Sequence, residues 1–153
     1  MITTKFIVKD AQKVLGDMLK RERAMQSYFN RNLVEQYRNI QRKRWMTQGE
    51  SEGSPWRALN PDYAARKKRI YAGYPGGGTK MLVATSRLVT GVVGPGGDFR
   101  KVTTPRSITL STVTPYAKYV DEDRTFTKFG AKSLQEIYKG IGDFLFKGIL
   151  RNL

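Results

Sequence analysis

Three runs in which glycine and proline gather, at residues 49–55, 73–78 and 91–97, constrain this chain more than any other feature. Such runs carry neither helix nor central strand, so regular structure must be built from the segments between them. Before the first run lies one long helical pattern. Val14, Leu15, Met18 and Leu19 share one helical face, and the apolar stripe resumes at Met25, Phe29, Leu33, Tyr37 and Ile40, with Trp45 beyond. Asp10 is placed to cap a helix that begins at Ala11. An unbroken helix over 11–45 would be roughly 50 Å long at ~1.5 Å per residue, too long for a small domain unless it projects. A break near residues 23–26 is therefore expected; a coiled coil is the lesser option, because the heptad is only partly kept. Ahead of the helix, Phe6, Ile7 and Val8 predict an edge strand over 2–8, or an N-terminal arm over 1–10.

Between the first and second runs, Asn60 can cap a helix and Pro61 suits its first position, where a missing N–H is no loss. That helix carries Arg66, Lys67, Lys68 and Arg69. After the second run comes a short apolar stretch, 81–83, and Thr85 or Ser86 can cap a further short helix with Arg87, Leu88 and Val89. Residues 73–80 and 91–98 are expected to be mobile loops. Beyond them, 106–113 alternates: Ile108, Leu110 and Thr112 on one face, Ser107, Thr109 and Ser111 on the other. That is a half-buried antiparallel strand, and 99–104 is its hairpin partner. Ser133 and Glu136 have the spacing of a capping box, opening a last helix whose apolar face holds Leu134, Ile137, Tyr138, Ile141, Phe144, Leu145, Ile149 and Leu150. Gly140, Gly142 and Gly148 are unusual there and point to close helix contact or a bend. The fold class expected is α+β: an antiparallel sheet flanked by helices, with long glycine-rich loops, in a single domain over 1–153.

The chain has 153 residues with neither cysteine nor histidine. Disulfides, thiolate nucleophiles and thiolate metal sites are excluded, which fits a reducing place of synthesis. The commonest general base near neutral pH and the commonest transition-metal ligand are excluded too. Neither an enzyme nor a cofactor is expected. Hydrophobic residues make up 39%, low for a compact globule, while 11% aromatics argue against disorder, so either extensions leave the core or a partner surface completes it. No run of about 20 apolar residues spans a membrane, and the lysine-bearing N-terminus does not read as a secretory signal.

The net charge is +15, from 28 basic and 13 acidic residues. The excess is densest at Arg42, Lys43 and Arg44 and again at Arg66, Lys67, Lys68 and Arg69. Such a field attracts nucleic acid, acidic protein surfaces or anionic membrane, although a solvated helix face is the plainer reading of any one run. Three local motifs bear weighing. Residues 73–80 end in glycines followed by Thr79-Lys80, the reverse of the phosphate-loop order, so a flexible loop is the better reading. Asp121, Glu122 and Asp123 have the chemistry of a hard-cation site, but adjacent carboxylates more often sit on a solvated turn or pair with a basic neighbour in an oligomer. Tyr28, Phe29, Arg31, Tyr37, Arg38, Arg42 and Trp45 mix aromatic and basic side chains as single-strand binders do. Their aromatics fall mostly on one helical face, which favours packing.

Four segments, in order, carry a resemblance. They are Trp56-Arg57-Ala58-Leu59-Asn60-Pro61 with its basic helix, Thr85-Ser86-Arg87-Leu88, Tyr116-Ala117-Lys118-Tyr119-Val120, and Thr125-Phe126-Thr127-Lys128-Phe129-Gly130. The pattern resembles the virion morphogenesis, or tail completion, family of Mu-like tailed phages, over roughly the last two thirds of the chain. Ser86 stands where that family usually has glycine, and Ala58-Leu59-Asn60 where it usually has proline-leucine-serine. The resemblance implies a non-enzymatic virion protein of the tail or neck, assembled in the host cytoplasm. It would form a homo-oligomeric ring, usually six-fold, that completes the tail tube or joins it to the neck. Other neck, connector or tail-tube proteins would be its partners, with channel DNA as a further contact. A connector ring nearer the portal, or a free sequence-nonspecific nucleic-acid-binding protein, is the alternative. Interface candidates are the seven basic residues named above with Asp121, Glu122 and Asp123. Trp56, Asn60, Pro61, Leu88, Tyr116 and Phe129 are the expected structural anchors.

Overall fold

A computed structural model of the chain describes residues 8–147, apart from residues 77 and 95 and the side chains of 8–11. The fold is α+β. In chain order it comprises α1 (Val8–Tyr28), a π-helical turn (Phe29–Leu33), α2 (Val34–Met46), a 3-10 turn (Glu50–Glu52), α3 (Pro61–Ile70), α4 (Arg87–Val93), β1 (Phe99–Thr103), β2 (Ile108–Thr112), α5 (Ala117–Asp123) and α6 (Ala131–Phe146). No helix among the described residues is long and apolar enough to cross a membrane. The expected edge strand lies outside the described residues except for Val8, which is helical and starts α1. Asp10 is therefore inside a helix rather than at its cap. Gly148, Ile149 and Leu150 also lie outside the described residues.

The expected break at 23–26 is not there. Helix runs through it, and the irregularity falls at Phe29–Leu33, where the turn widens. A π turn inserts one residue without breaking the rod, and so rotates the apolar stripe between α1 and α2. Phe29 and Leu33 are buried on this turn. With Tyr28 they form one core cluster against Met25, Ile108, Ile137, Ile141 and Phe144. Upstream the rod projects: Leu15 and Leu19 are 59% and 53% exposed. The end of α6 comes back against it, where Arg21 donates to the Phe144 carbonyl at 2.9 Å and Tyr28 stacks on the Phe144 ring at 4.5 Å. Gly140 permits this approach, since a Cβ there would stand 2.9 Å from the Tyr28 hydroxyl.

The second cluster holds Trp45, Trp56, Val83, Leu88, Val92, Val93, Ala117 and Phe126. Trp56 meets Trp45 edge-on at 4.9 Å and donates from Nε1 to the Thr125 carbonyl at 3.2 Å. β1 and β2 pair antiparallel, with Phe99 opposite Thr112 and Thr103 opposite Ile108. Ile108, Leu110 and Thr112 are half-buried, and Thr109 and Ser111 exposed, as the alternation predicts. Residues 91–93, read from sequence as loop, are instead the last turn of α4. Gly91 belongs in that helix because the hairpin runs so close. A Cβ there would lie 2.6 Å from Thr114 Oγ1 and 2.8 Å from Thr112 Oγ1.

The capping box at Ser133 is also overturned. α6 starts at Ala131 with Gly130 at its cap position and no side-chain cap of its own. Glu52 supplies the missing acceptors from across the fold. Its Oε2 accepts from Gly130 N at 2.8 Å and its Oε1 from Ser133 Oγ at 2.7 Å. The same carboxylate lies 3.4 Å from Arg44 Nη2, both side chains being almost wholly buried. Arg44 also donates to the carbonyls of Phe126 and Lys128.

Two substitutions measure these two arrangements. Glu52→Ala should cost about 3–5 kcal/mol in chemical denaturation, because it strands a buried guanidinium and uncaps α6; a loss under 1 kcal/mol would mean that water repairs the site. Trp56→Ala should cost about 3 kcal/mol or more, as large core truncations do. A variant that melts like the parent would show that Trp56 contributes no stability here.

Candidate functional site

α3 forms where it does because Asn60 Oδ1 accepts from Asp62 N at 2.9 Å and from Tyr63 N at 3.5 Å, with Pro61 at the first helical position. Asn60, Tyr63 and Lys67, and Tyr71 just past the helix end, recur at three- and four-residue spacing and so share one face. This face borders a cleft of about 690 Å³, closed on its other sides by the turn at 82–88 and by Tyr116, Val120 and Arg124 at and along α5. Leu59, Leu82, Leu88 and Val120 give it an apolar lining. Among the described residues no carboxylate lines it.

Lys67 is 2% exposed. Its Nζ donates to the carbonyls of Lys80, at 2.7 Å, and Val83, so it ties the 80–83 segment to α3. Burial pushes its ammonium below the ordinary lysine range. At the mouth, Arg87 makes a fork with Asp98, Nε to Oδ2 at 2.7 Å and Nη2 to Oδ1 at 3.3 Å. Asp98 also accepts from Thr114 Oγ1 at 3.0 Å. The Arg87 bond, then the Thr114 bond, hold the Asp98 carboxyl below the usual range, and the same bond to Asp98 raises Arg87. Arg124 donates to the Arg57 carbonyl at 3.2 Å and pairs with Asp123.

The wall between these groups has unusual backbone. Leu82 and Ser86 both have positive φ, 59° and 64°. Left-handed conformations crowd a Cβ, so non-glycine residues adopt them only when the surroundings hold them there. Ser86 stands at the cap position of α4, yet its side chain accepts no capping bond. The 73–80 segment follows a helix rather than a strand, unlike a phosphate loop.

The residues singled out from sequence fall in different places. Asn60, Lys67, Leu88 and Tyr116 meet at the cleft. Arg42, Lys43, Arg66, Lys68 and Arg69 are exposed outside it. Arg44 and Lys67 do not belong with those five as surface groups, because their charged ends are spent on buried carbonyls inside the fold. Asp121 is likewise committed: it accepts from Phe126 N at 2.7 Å, from Thr127 N at 2.9 Å and from Thr127 Oγ1 at 2.7 Å, which folds the turn after α5. Glu122 and Asp123 are exposed at the end of that helix. Trp56 and Leu88 lie in the core, and Phe129 packs edge-on to Tyr37 at 6.0 Å with the Arg44 guanidinium over its ring. Tyr116 is 41% exposed, on the cleft wall rather than in the core. Sequence reasoning passed over Tyr63, Tyr71 and Arg124. Their signal was the repeat spacing 60/63/67/71 and 116/120/124, which reads equally as a solvated helix face. No family model, curated protein or solved structure matches this chain.

Ser86→Gly tests the strained wall. Relieving a left-handed non-glycine residue should raise stability by roughly 1 kcal/mol, the low end of such strain, seen as a higher melting temperature. A lower melting temperature would mean that Ser86 makes contacts worth more than its strain.

Proposed function

We propose that this chain is a non-enzymatic structural subunit of a phage virion, acting at the head–tail junction as one member of a closed ring that completes the tail tube or joins it to the neck. The observation that carries the reading is the backbone of Ser86. It has φ 64°, the conformation glycine adopts freely, at the place where the tail completion family usually has glycine. The serine thus departs in sequence while its backbone takes a conformation that glycine favours. A second observation supports it. Trp56, Leu88, Ala117 and Phe126, one from each of the four segments that carry the resemblance, pack in a single core cluster. Segments scattered along the chain make one folded unit, which fits motifs that occur together.

The projecting rod suits assembly. Leu15 and Leu19 are exposed beside Phe146 and the half-buried Met18 and Leu145, in a groove of about 280 Å³. Apolar surface of this kind is a place for another chain to pack. Identical subunits joined head to tail close into a ring when the rotation permits, and the closed ring leaves no such surface free.

Electron microscopy of the purified protein, with sedimentation on the same sample, tests the proposal. Rings with an open centre and a discrete assembly mass are expected without nucleic acid. Monomers that retard unrelated duplexes, with binding that weakens steeply as salt rises, would replace this reading with a sequence-nonspecific nucleic-acid-binding protein.

A further inference from the structure

The geometry points to an occupant for the cleft between α3 and α5: an extended acidic segment of a different protein chain, with apolar side chains alternating with carboxylates. The inference rests on the assembly reading for the source of that segment, a neighbouring protein of the junction.

The lining sets the chemistry. Arg87 and Arg124 stand at the cleft with Tyr63, Tyr71 and Tyr116, all able to donate hydrogen bonds; no carboxylate is among the described lining residues, although Asp98 and Asp123 hold the two arginines from outside it. Asp98 takes the Nε and one terminal nitrogen of Arg87, which fixes the guanidinium in place and leaves Nη1 to offer. A carboxylate arriving there meets a charge-assisted donor already oriented. Below the donors the lining is aliphatic, at Leu59, Leu82, Leu88 and Val120. An extended peptide turns successive side chains to opposite sides, so an alternating segment would place apolar groups inward and carboxylates at the arginines. The strained residues Leu82 and Ser86 both lie on this wall, and backbone strain concentrates where a ligand is gripped.

Charge complementarity places the segment in another chain. The chain has 13 acidic residues against 28 basic ones. Many of the described acids are already engaged: Glu52 with buried Arg44, Asp98 with Arg87, Glu35 with Arg38, Asp143 with Lys139, and Asp121 with the turn that follows it. A second copy carries its other exposed carboxylates, such as Asp62, Glu122 and Glu136, on helices rather than on an extended segment. Single-stranded nucleic acid fits less well, because it needs a basic track beside its stacking rings. Arg66, Lys68 and Arg69 lie outside the cleft lining, so the positive charge does not continue along the groove.

Fluorescence anisotropy with a short labelled peptide alternating glutamate and leucine tests the inference. A lysine–leucine peptide and labelled oligothymidylate serve as competing probes. Saturable binding of the acidic peptide is expected. Tyr63→Ala and Arg87→Gln should each weaken it about tenfold, the loss expected of interface anchors, while Arg66→Gln with Arg69→Gln should change it by less than about twofold. Tyr63 is 49% exposed, so its truncation leaves the fold intact, and a matching melting curve checks this. The inference is overturned if the acidic peptide does not saturate, if the lysine peptide binds as well, or if the Arg66/Arg69 variant loses as much as the cleft variants. Tighter binding of oligothymidylate, sensitive to Tyr63→Ala, would make the occupant a nucleic acid. Rings that dissolve in Tyr63→Ala would make it a second copy. Peptide binding by a protein that forms no rings would sink the ring reading and leave the cleft assignment standing.

Discussion

The buried guanidinium of Arg44 is the constraint on which the rest of this structure depends. It is 1% exposed, and burial lowers its pKa, with the Glu52 charge as the largest opposing influence. A cation so placed needs acceptors for most of its donors. Here Nη1 and Nη2 are met by Glu52 and by the carbonyls of Phe126 and Lys128, with the Phe129 ring beneath, while the buried Nε has no acceptor among the described residues. The partners come from two distant parts of the chain, Glu52 from the 3-10 turn and the other three from 126–129, and Glu52 also binds Gly130 at the start of α6. The end of α2, the 3-10 turn, the segment after α5 and the start of α6 are thereby brought to one point. Glu52 completes the arrangement by capping α6, where a carboxylate also favours the positive end of the helix dipole. Replacing the whole set by apolar groups would not be expected to cost what breaking one member costs, so the knot fixes which elements meet more than it adds net stability.

A second buried cation works the same way on a smaller scale. Lys67 donates to two backbone carbonyls, those of Lys80 and Val83. Both basic runs therefore give up one member to the interior. The remaining members stay outside, and the segment that Lys67 holds is one wall of the cleft. The packing of the glycine-rich connection and the shape of the candidate site follow from one lysine facing inward on α3.

Local rules reached those parts of the fold that local forces decide. Asn60 and Pro61 start α3 because their own side chains satisfy or remove the orphan donors there. The hairpin followed from alternation, since one face of Ile108, Leu110 and Thr112 is covered and the other is wet. The failures each involve a partner distant in sequence. Ser133 has the spacing of a cap, but its hydroxyl is taken by Glu52, so the helix begins earlier. Gly91 signals a loop by residue type, whereas its smallness serves the contact with Thr112 and Thr114. The break expected at 23–26 from helix length is absent; the rod continues, and a π turn at Phe29–Leu33 shifts the apolar stripe instead. The cleft was illegible for a different reason. A tyrosine and lysine face at helical spacing looks like a solvated surface until the opposite wall is known.

The surplus of positive charge has a structural reading as well as a functional one. Buried cations served partly by carbonyls leave carboxylates free for other work, such as the Asp121 turn and the Asp98 fork. The few acids can thus organise the chain without neutralising it. The exposed arginines and lysines act through a field that falls off over about 8 Å at physiological salt; such a field would draw any polyanion close without choosing among polyanions. Choice requires contact, and contact requires a concave surface with fixed donors. Arg87, oriented by Asp98 beside an aliphatic lining, has those properties, while the exposed members of the 42–44 and 66–69 runs do not. On the proposed reading of the cleft, attraction and recognition would be carried by different residues: substitutions on the outer runs should alter association rates, and substitutions in the cleft should alter lifetimes.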